Sequence, residues 1–223
     1  MFCSSPISRT SSSSCRRFPF RSAVLSLLAL QVASLLSAAG PTAAMSPPSM
    51  IPPARTTVVH TAPQGVEYAT NPTVFGKILR GELPARVWLE TNQLLAFQDR
   101  SPRAPLHALV IPKQFVRDIT RTTKEDLPLL TTMREMGFSL VQHHFPEAAR
   151  TNDYILCFHI PPFNSIDHLH LHVLAPASQM QWWWRDTKYR SETPWCTRVD
   201  TVLQRLQQGQ SPVAVARWWF GAD

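Results

Sequence analysis

The stretch "HLHLHVL", residues 168–174, sets a histidine at every second position with a large aliphatic residue between each pair. Successive side chains of a strand point to opposite faces, so His168, His170 and His172 share one side and Leu169, Leu171 and Val173 the other. The aliphatic side is expected to bury against a helix, leaving the imidazoles to line a cleft roughly 6.5–7 Å apart along the strand. Three kinds of chemistry fit such a row. The plainest is a polar face in water, although exposed strand faces favour Lys, Glu and Thr over three imidazoles. Alternate histidines can also converge on one zinc or iron ion. Alternatively, a neutral imidazole with a pKa near ~6.5 can attack phosphorus while a protonated neighbour supplies charge or a proton.

The elements that must position this row begin near residue 70. "TVFGKILRG" places Val74, Phe75, Ile78 and Leu79 at helical spacing, with Gly81 where a C-cap belongs. "RVWLE" and "QLLAFQD" predict short strands separated by Thr91 and Asn92, and "LHALVIP" predicts another, stopped by Pro112. Thr123, with Asp126 following in a capping pattern, predicts a helix N-terminus. Leu127, Leu130, Met133, Met136, Leu140 and Val141 continue one apolar stripe as far as "HHFP". "YILCFHI" and "HLHLHVL" complete five strands, close enough in sequence to pair antiparallel. The expectation is an α+β domain over residues 70–177, a five-stranded antiparallel sheet with one long and one short helix. Residues 178–223 are Trp-rich and form a C-terminal extension packing on or near that domain, with a helix around Val199 to Leu206.

The chain of 223 residues suits one domain plus appendages, and its 44% hydrophobic content is ordinary for a globular core. The net charge of +7 invites a nucleic-acid reading, but its distribution argues against one. Arg9, Arg16, Arg17, Arg21 and Arg55 precede the first acidic residue, Glu67, leaving 17 basic against 15 acidic residues beyond them. Of the four cysteines, Cys3 and Cys15 lie in this leader, and Cys157 and Cys196 stand far apart, with no zinc-knuckle spacing. Residues 1–66 read as a disordered leader of low complexity. Its apolar run from Ala23 to Ala39 follows three arginines and resembles a cleavable secretory signal, while the Ser-rich, acid-free composition equally suits an organellar transit peptide. Translation from Met45 leaves a third option, cytoplasmic or nuclear. The run is too short and too diluted for a permanent membrane span.

The triad "HLHLHVL" resembles the His-φ-His-φ-His-φ-φ motif of the histidine-triad (HIT) superfamily of nucleotide hydrolases and transferases. "FGKILRGELPARVWLE", "LLAFQDRSPRAPLHALVIPK" and "HLHLHVLAP" resemble its nucleotide-binding branch in the same order and at similar spacing. "FHIPPFNSIDHLHLHVLAPASQM" is similar to the adenosine 5′-monophosphoramidase subgroup, which carries Phe-His-x-Pro-Pro-Phe before the triad. The resemblance covers about Thr73 to Leu206. It implies hydrolysis of adenosine 5′-monophosphoramidates through a covalent nucleotidyl-histidine, with hydrolysis of dinucleoside polyphosphates, or nucleotide binding with little turnover, as alternatives.

By the same resemblance His170 is the nucleophile, His172 contacts the phosphate and leaving group, His168 organises the triad and His107 supports it from an adjacent strand. Asp99 accepts from the ribose hydroxyls, its plain alternative being a turn residue before Pro102. Phe75, Ile78 and Phe97 wall the base pocket or are simply core, and Ser165 binds the phosphate. His159 stands where many relatives have an asparagine near the phosphate, and Gln98 where many have histidine. Some relatives hold zinc through residues that here are Thr73, Gly76 and Phe115, so no metal and no cofactor are expected. The implied partners are a purine nucleotide and, as a homodimer, a second copy whose interface could include Trp182–Trp184 and Trp218–Trp219. No nucleic acid is implied.

Overall fold

Short, mostly apolar runs buried on both faces set the central strands of the sheet, and every strand pair in it is antiparallel. The computed structural model describes residues 55–214. Residues 1–54 of the leader and targeting segment expected over residues 1–66, together with Trp218 and Trp219, lie outside the described residues. The strands are β1 (Arg55–Thr56), β2 (Ala85–Glu90), β3 (Leu94–Gln98), β4 (Leu106–Pro112), β5 (Ile155–His159), β6 (Leu171–Ala175) and β7 (Cys196–Arg198). They join in the order β1-β2-β3-β4-β6-β5-β7. The helices are α1 (Val74–Leu79), α2 (Leu127–His144), α3 (Pro146–Thr151) and α4 (Val199–Gln207). The α+β architecture and the five anticipated strands are present. The count of five is corrected to seven, because β1 and β7 add short edges of two and three residues. One long and one short helix become four α-helices among the described residues. Pro146 starts a helix as well as ending one, its fixed φ suiting a first turn.

The long helix α2 lies across one face of the sheet. Leu130, Met133, Met136, Leu140 and Val141 meet Ala96, Ala108, Val110, Leu171 and Val173 in one buried cluster, which α4 completes through Val199, Val202 and Leu206. Gly137 permits the close approach, since a Cβ there would stand 3.0 Å from Val173 Cγ2. Thr123 and Asp126 form the capping box that starts this segment. On the opposite face two smaller clusters form. Phe75, Ile78 and Leu79 of α1 cover Leu95, Phe97, Leu109 and Ile111, while Met180 and Tyr189 cover Ile155, Cys157, Leu174 and Cys196.

The domain starts earlier than residue 66. The pair β1–β2 aligns Arg55 with Arg86, and the His60 amide donates to the Leu79 carbonyl at 3.0 Å. Lys113 is 1% exposed and donates to the Thr61 carbonyl at 2.7 Å and to Glu90 Oε1 at 2.5 Å. His60 Nδ1 bonds Glu90 Oε2 at 2.8 Å. A buried ammonium requires such partners, so residues 57–61 belong to the fold although their composition resembles the leader. At the other end the extension packs on the domain, with β7 paired to β5 and α4 against α2. Among the described residues no helix is long and apolar enough to cross a membrane.

Candidate functional site

The three histidines do not all lie in a strand. The β6 ladder begins at Leu171, so His168 and His170 precede it in irregular backbone. Alternation persists nonetheless: Leu169, Leu171 and Val173 enter the cluster under α2, and the imidazoles face the other way. All three are buried, at 0%, 8% and 5% exposure, which removes the reading of a solvated polar face. His170 and His172 line a cleft of about 1050 Å³ between the two smaller clusters, and His168 does not.

Hydrogen bonds order the protons on these rings. His170 Nδ1 lies 2.6 Å from the His168 carbonyl, which can only accept, so Nδ1 carries the hydrogen and Nε2 keeps its lone pair. His168 donates through Nε2 to the Pro112 carbonyl at 2.9 Å, and its Nδ1 accepts from Asn71 Nδ2 at 2.9 Å. Asn71 Oδ1 accepts in turn from the Thr73 amide at 3.1 Å and hydroxyl at 2.8 Å, which orients the amide. His107 is a diagonal neighbour of His172 across the β4–β6 pair, in which Leu109 is opposite His172. Its Nδ1 accepts from the Arg103 amide at 3.2 Å, so Nε2–H donates to His172 Nδ1 at 3.1 Å. His172 therefore carries its hydrogen on Nε2, a buried atom without a partner among the described residues. One cleft-lining ring offers a lone pair and the next offers an N–H.

Burial is the main cause of the depressed basicity of these rings. It pushes His168 and His159 down to about 4, and it lowers His170 and, more strongly, His172. His107 is also brought to about 4, with Asp99 partly opposing the effect of burial. Lys188 adds its positive charge against His107, His159, His170 and His172. The expectation of a protonated neighbour is thus corrected: at neutral pH the imidazoles are neutral donors and acceptors, because the cleft walls desolvate them.

Ligand atoms of His159, His170 and His172 lie within 4.8 Å of one another, as do those of Asp99, His107 and His172. The proton order opposes a metal at either cluster. His172 presents N–H rather than a lone pair at Nε2, its Nδ1 is bonded to His107, and Lys188 lines the same cleft. Thr73, Gly76 and Phe115 supply no ligand set: Thr73 caps α1 by accepting from the Gly76 amide at 3.3 Å, and Phe115 lies edge-on to His168 at 5.5 Å.

The structure brings most of the anticipated residues to one cleft. Phe75, Ile78 and Phe97 line it while also belonging to a buried cluster, so both readings of them hold. Asp99, Ser165, His159 and Gln98 line it too, with Ser165 exposed at its edge and Gln98 Oε1 buried without a partner among the described residues. His159 donates from Nε2 to the Lys188 carbonyl at 3.2 Å. The buried His107 and His168 stand behind the lining. Sequence reasoning missed Asn71, Ile166, Arg103, Lys188 and Tyr189. Asn71 carried a faint signal, a turn-forming residue just before Pro72 and the α1 cap. Lys188 ends a π-helical turn, Trp184–Lys188, and Tyr189 follows it, in a segment without periodicity.

Comparison with known proteins agrees with this geometry. The family model described as scavenger mRNA decapping enzyme C-term binding matches residues 72–188, over half of the chain. The chain is 40% identical over 116 residues to adenosine 5′-monophosphoramidase HINT3 of Xenopus tropicalis, covering 52% of this chain and 74% of that protein. It is 34% identical over 139 residues to the bifunctional adenosine 5′-phosphosulfate phosphorylase/adenylylsulfatase HINT4 of Arabidopsis thaliana, covering 60% and 90%. Among solved structures, a HIT family hydrolase from Legionella pneumophila Philadelphia 1 matches at 35% identity and a TM-score of 0.43, over 49% of this chain and 96% of that one. With its ordered imidazoles and matched span, the chain belongs to the scavenger mRNA decapping enzyme C-term binding family, within the histidine-triad superfamily of nucleotide hydrolases and transferases.

Proposed function

We propose that this chain hydrolyses adenosine 5′-monophosphoramidates, with His170 as the nucleophile. The observation that carries the reading is the proton order: His170 Nε2 is a free lone pair in a cleft, with its other nitrogen tied to the His168 carbonyl at 2.6 Å. The likeness to the Xenopus tropicalis adenosine 5′-monophosphoramidase supports the substrate class. In the first step the Nε2 lone pair forms a bond to the α-phosphorus as the bond to the leaving nitrogen breaks. His172 Nε2–H and the Ser165 hydroxyl donate to the non-bridging oxygens, where charge develops. The departing amine takes up a proton brought in with the substrate or by water, because the buried rings hold none to spare at neutral pH. In the second step water attacks the same phosphorus, the P–N bond returns its electron pair to Nε2, and AMP leaves. Exchange of one P–N bond for another keeps the intermediate close in energy to the substrate. Homodimerisation belongs to the same proposal, and Trp182 and Trp183, 66% and 44% exposed, offer apolar surface for it.

The test is His170→Ala together with a search for the adduct. Hydrolysis of adenosine 5′-phosphoramidate should fall by roughly 10³-fold or more, while AMP still binds. Rapid quench of the wild-type protein in denaturant at alkaline pH, where a P–N bond to histidine survives, should yield a mass increment of one AMP on His170. A variant retaining a rate within about tenfold of wild type would point to another nucleophile.

A further inference from the structure

Rings run in file along the cleft. Phe97 meets Phe75 at 5.5 Å, Phe75 meets His170 at 5.4 Å and His170 meets His172 at 5.0 Å. His172 then meets His159 at 4.5 Å, and His159 meets Tyr189 at 5.3 Å. One end of this file is apolar, with Ile78 and Leu109 beside the phenylalanines; Lys188 and Tyr189 stand at the other. A nucleotide with its base at the apolar end and its phosphorus at His170 directs its leaving group toward His159, Lys188 and Tyr189.

The charge of the lining is one-sided. Among the described residues that line the cleft, Arg86, Arg100, Arg103 and Lys188 stand against a single carboxylate, Asp99. Only Lys188 stands by the reacting rings: its charge bears on His159, His170 and His172, whereas that of Arg103 reaches His107 but none of these three. Among the described residues the Lys188 ammonium has no carboxylate partner. Its backbone is well anchored. Besides the His159 bond to the Lys188 carbonyl, Trp195 Nε1 donates to the Thr187 carbonyl at 2.8 Å, and the Arg103 guanidinium lies 3.9 Å over the Trp184 ring. A π-helical turn often marks a functional position, and this one presents an unpaired cation to the cleft.

We propose that Lys188 is a specificity-determining residue, favouring adenylates whose leaving group departs as an oxyanion, sulfate or phosphate, over those that release an amine. The proposal rests on the hydrolase reading above. With adenosine 5′-phosphosulfate, His170 Nε2 bonds to phosphorus as the P–O bond to sulfur's oxygen breaks. Sulfate leaves with that electron pair and needs no proton. An amine must gain one, and an ammonium beside it opposes the positive charge that results.

The test compares kcat/KM for adenosine 5′-phosphosulfate, diadenosine tetraphosphate and adenosine 5′-phosphoramidate in wild type, Lys188→Met and Lys188→Arg. Lys188→Met should lower the rate on the phosphosulfate roughly 10–150-fold, the worth of a hydrogen bond to a charged group, and on the phosphoramidate by less than about threefold. Lys188→Arg, which keeps the charge, should recover most of the loss. An equal loss on the tetraphosphate assigns the subsite to either oxyanion; a loss on the phosphosulfate alone assigns it to sulfate. Equal losses on all three substrates, or none on any, overturn the assignment. Absence of any AMP adduct on wild-type His170 with all three would instead remove the parent reading.

Discussion

The Asp99 carboxylate has more acceptor capacity than the fold uses. Oδ1 accepts from the Ser101 amide at 2.7 Å and closes the turn, while Oδ2 stands 3.6 Å from His107 Nε2 on the cleft wall. Both expectations for this residue are therefore compatible with one side chain, and substrates can separate them. Asp99→Ala should weaken binding of an adenylate with an intact ribose by roughly 10–150-fold more than that of its 2′,3′-dideoxy analogue, which lacks the hydroxyls. Equal losses, measured by titration, would reduce Asp99 to a turn residue. His170, His172 and Asp99 were legible because their types are costly in a core and their order along the chain matches a known motif. Asn71 was not, because its amide acquires a role only by reaching His168 across 97 positions of sequence. Lys188 looked like any exposed lysine until the fold carried it to the cleft.

Among elements, α1 does more than cover a sheet. Its Thr73 cap holds Asn71, and Asn71 holds His168, so the first turn of a six-residue helix fixes the orientation of the His168 ring. Gly76 permits this arrangement. A Cβ there would stand 2.3 Å from the Asn71 carbonyl oxygen and 2.7 Å from its side-chain Cγ, and backbone cannot yield easily. Gly76→Ala is expected to destabilise the domain by about 1–3 kcal/mol by overpacking, and to lower turnover by displacing the Asn71 amide. Urea unfolding and steady-state rates would check this; an unchanged midpoint with unchanged turnover would show that Asn71 is not held by this contact. Long elements could be read from their apolar patterns, as with the stripe of α2 and the unbroken buried run of β4. The edges β1 and β7 could not, since two or three residues are too few to display a period. The helix α3 was hidden because its proline reads as a terminator.

For the molecule as a whole, burying so many imidazoles ties folding to pH. His159 and His168 have folded pKa values of about 4, below the ordinary 6.5, so the unfolded chain binds more protons than the folded one between these values. Their contribution is complete above about pH 6.5 and is lost as pH falls toward 4. Each should cost about 2 kcal/mol of stability at pH 5 relative to pH 7. Urea denaturation at the two pH values should show the loss, and His159→Asn should recover about 2 kcal/mol of it. A variant with the same pH slope as wild type would contradict the assignment. The same low-dielectric interior bears on the short contact between His170 Nδ1–H and the His168 carbonyl. At rest it joins two neutral groups and serves to choose a tautomer. In the proposed reaction, the ring becomes cationic once Nε2 bonds to phosphorus, and the contact becomes a charge-assisted hydrogen bond, roughly twice as strong as its neutral counterpart. A bond that tightens as the reaction proceeds lowers the barrier rather than merely holding the reactant. The backbone carbonyl of His168 would then act as an electrostatic catalyst, and no side-chain substitution can delete it.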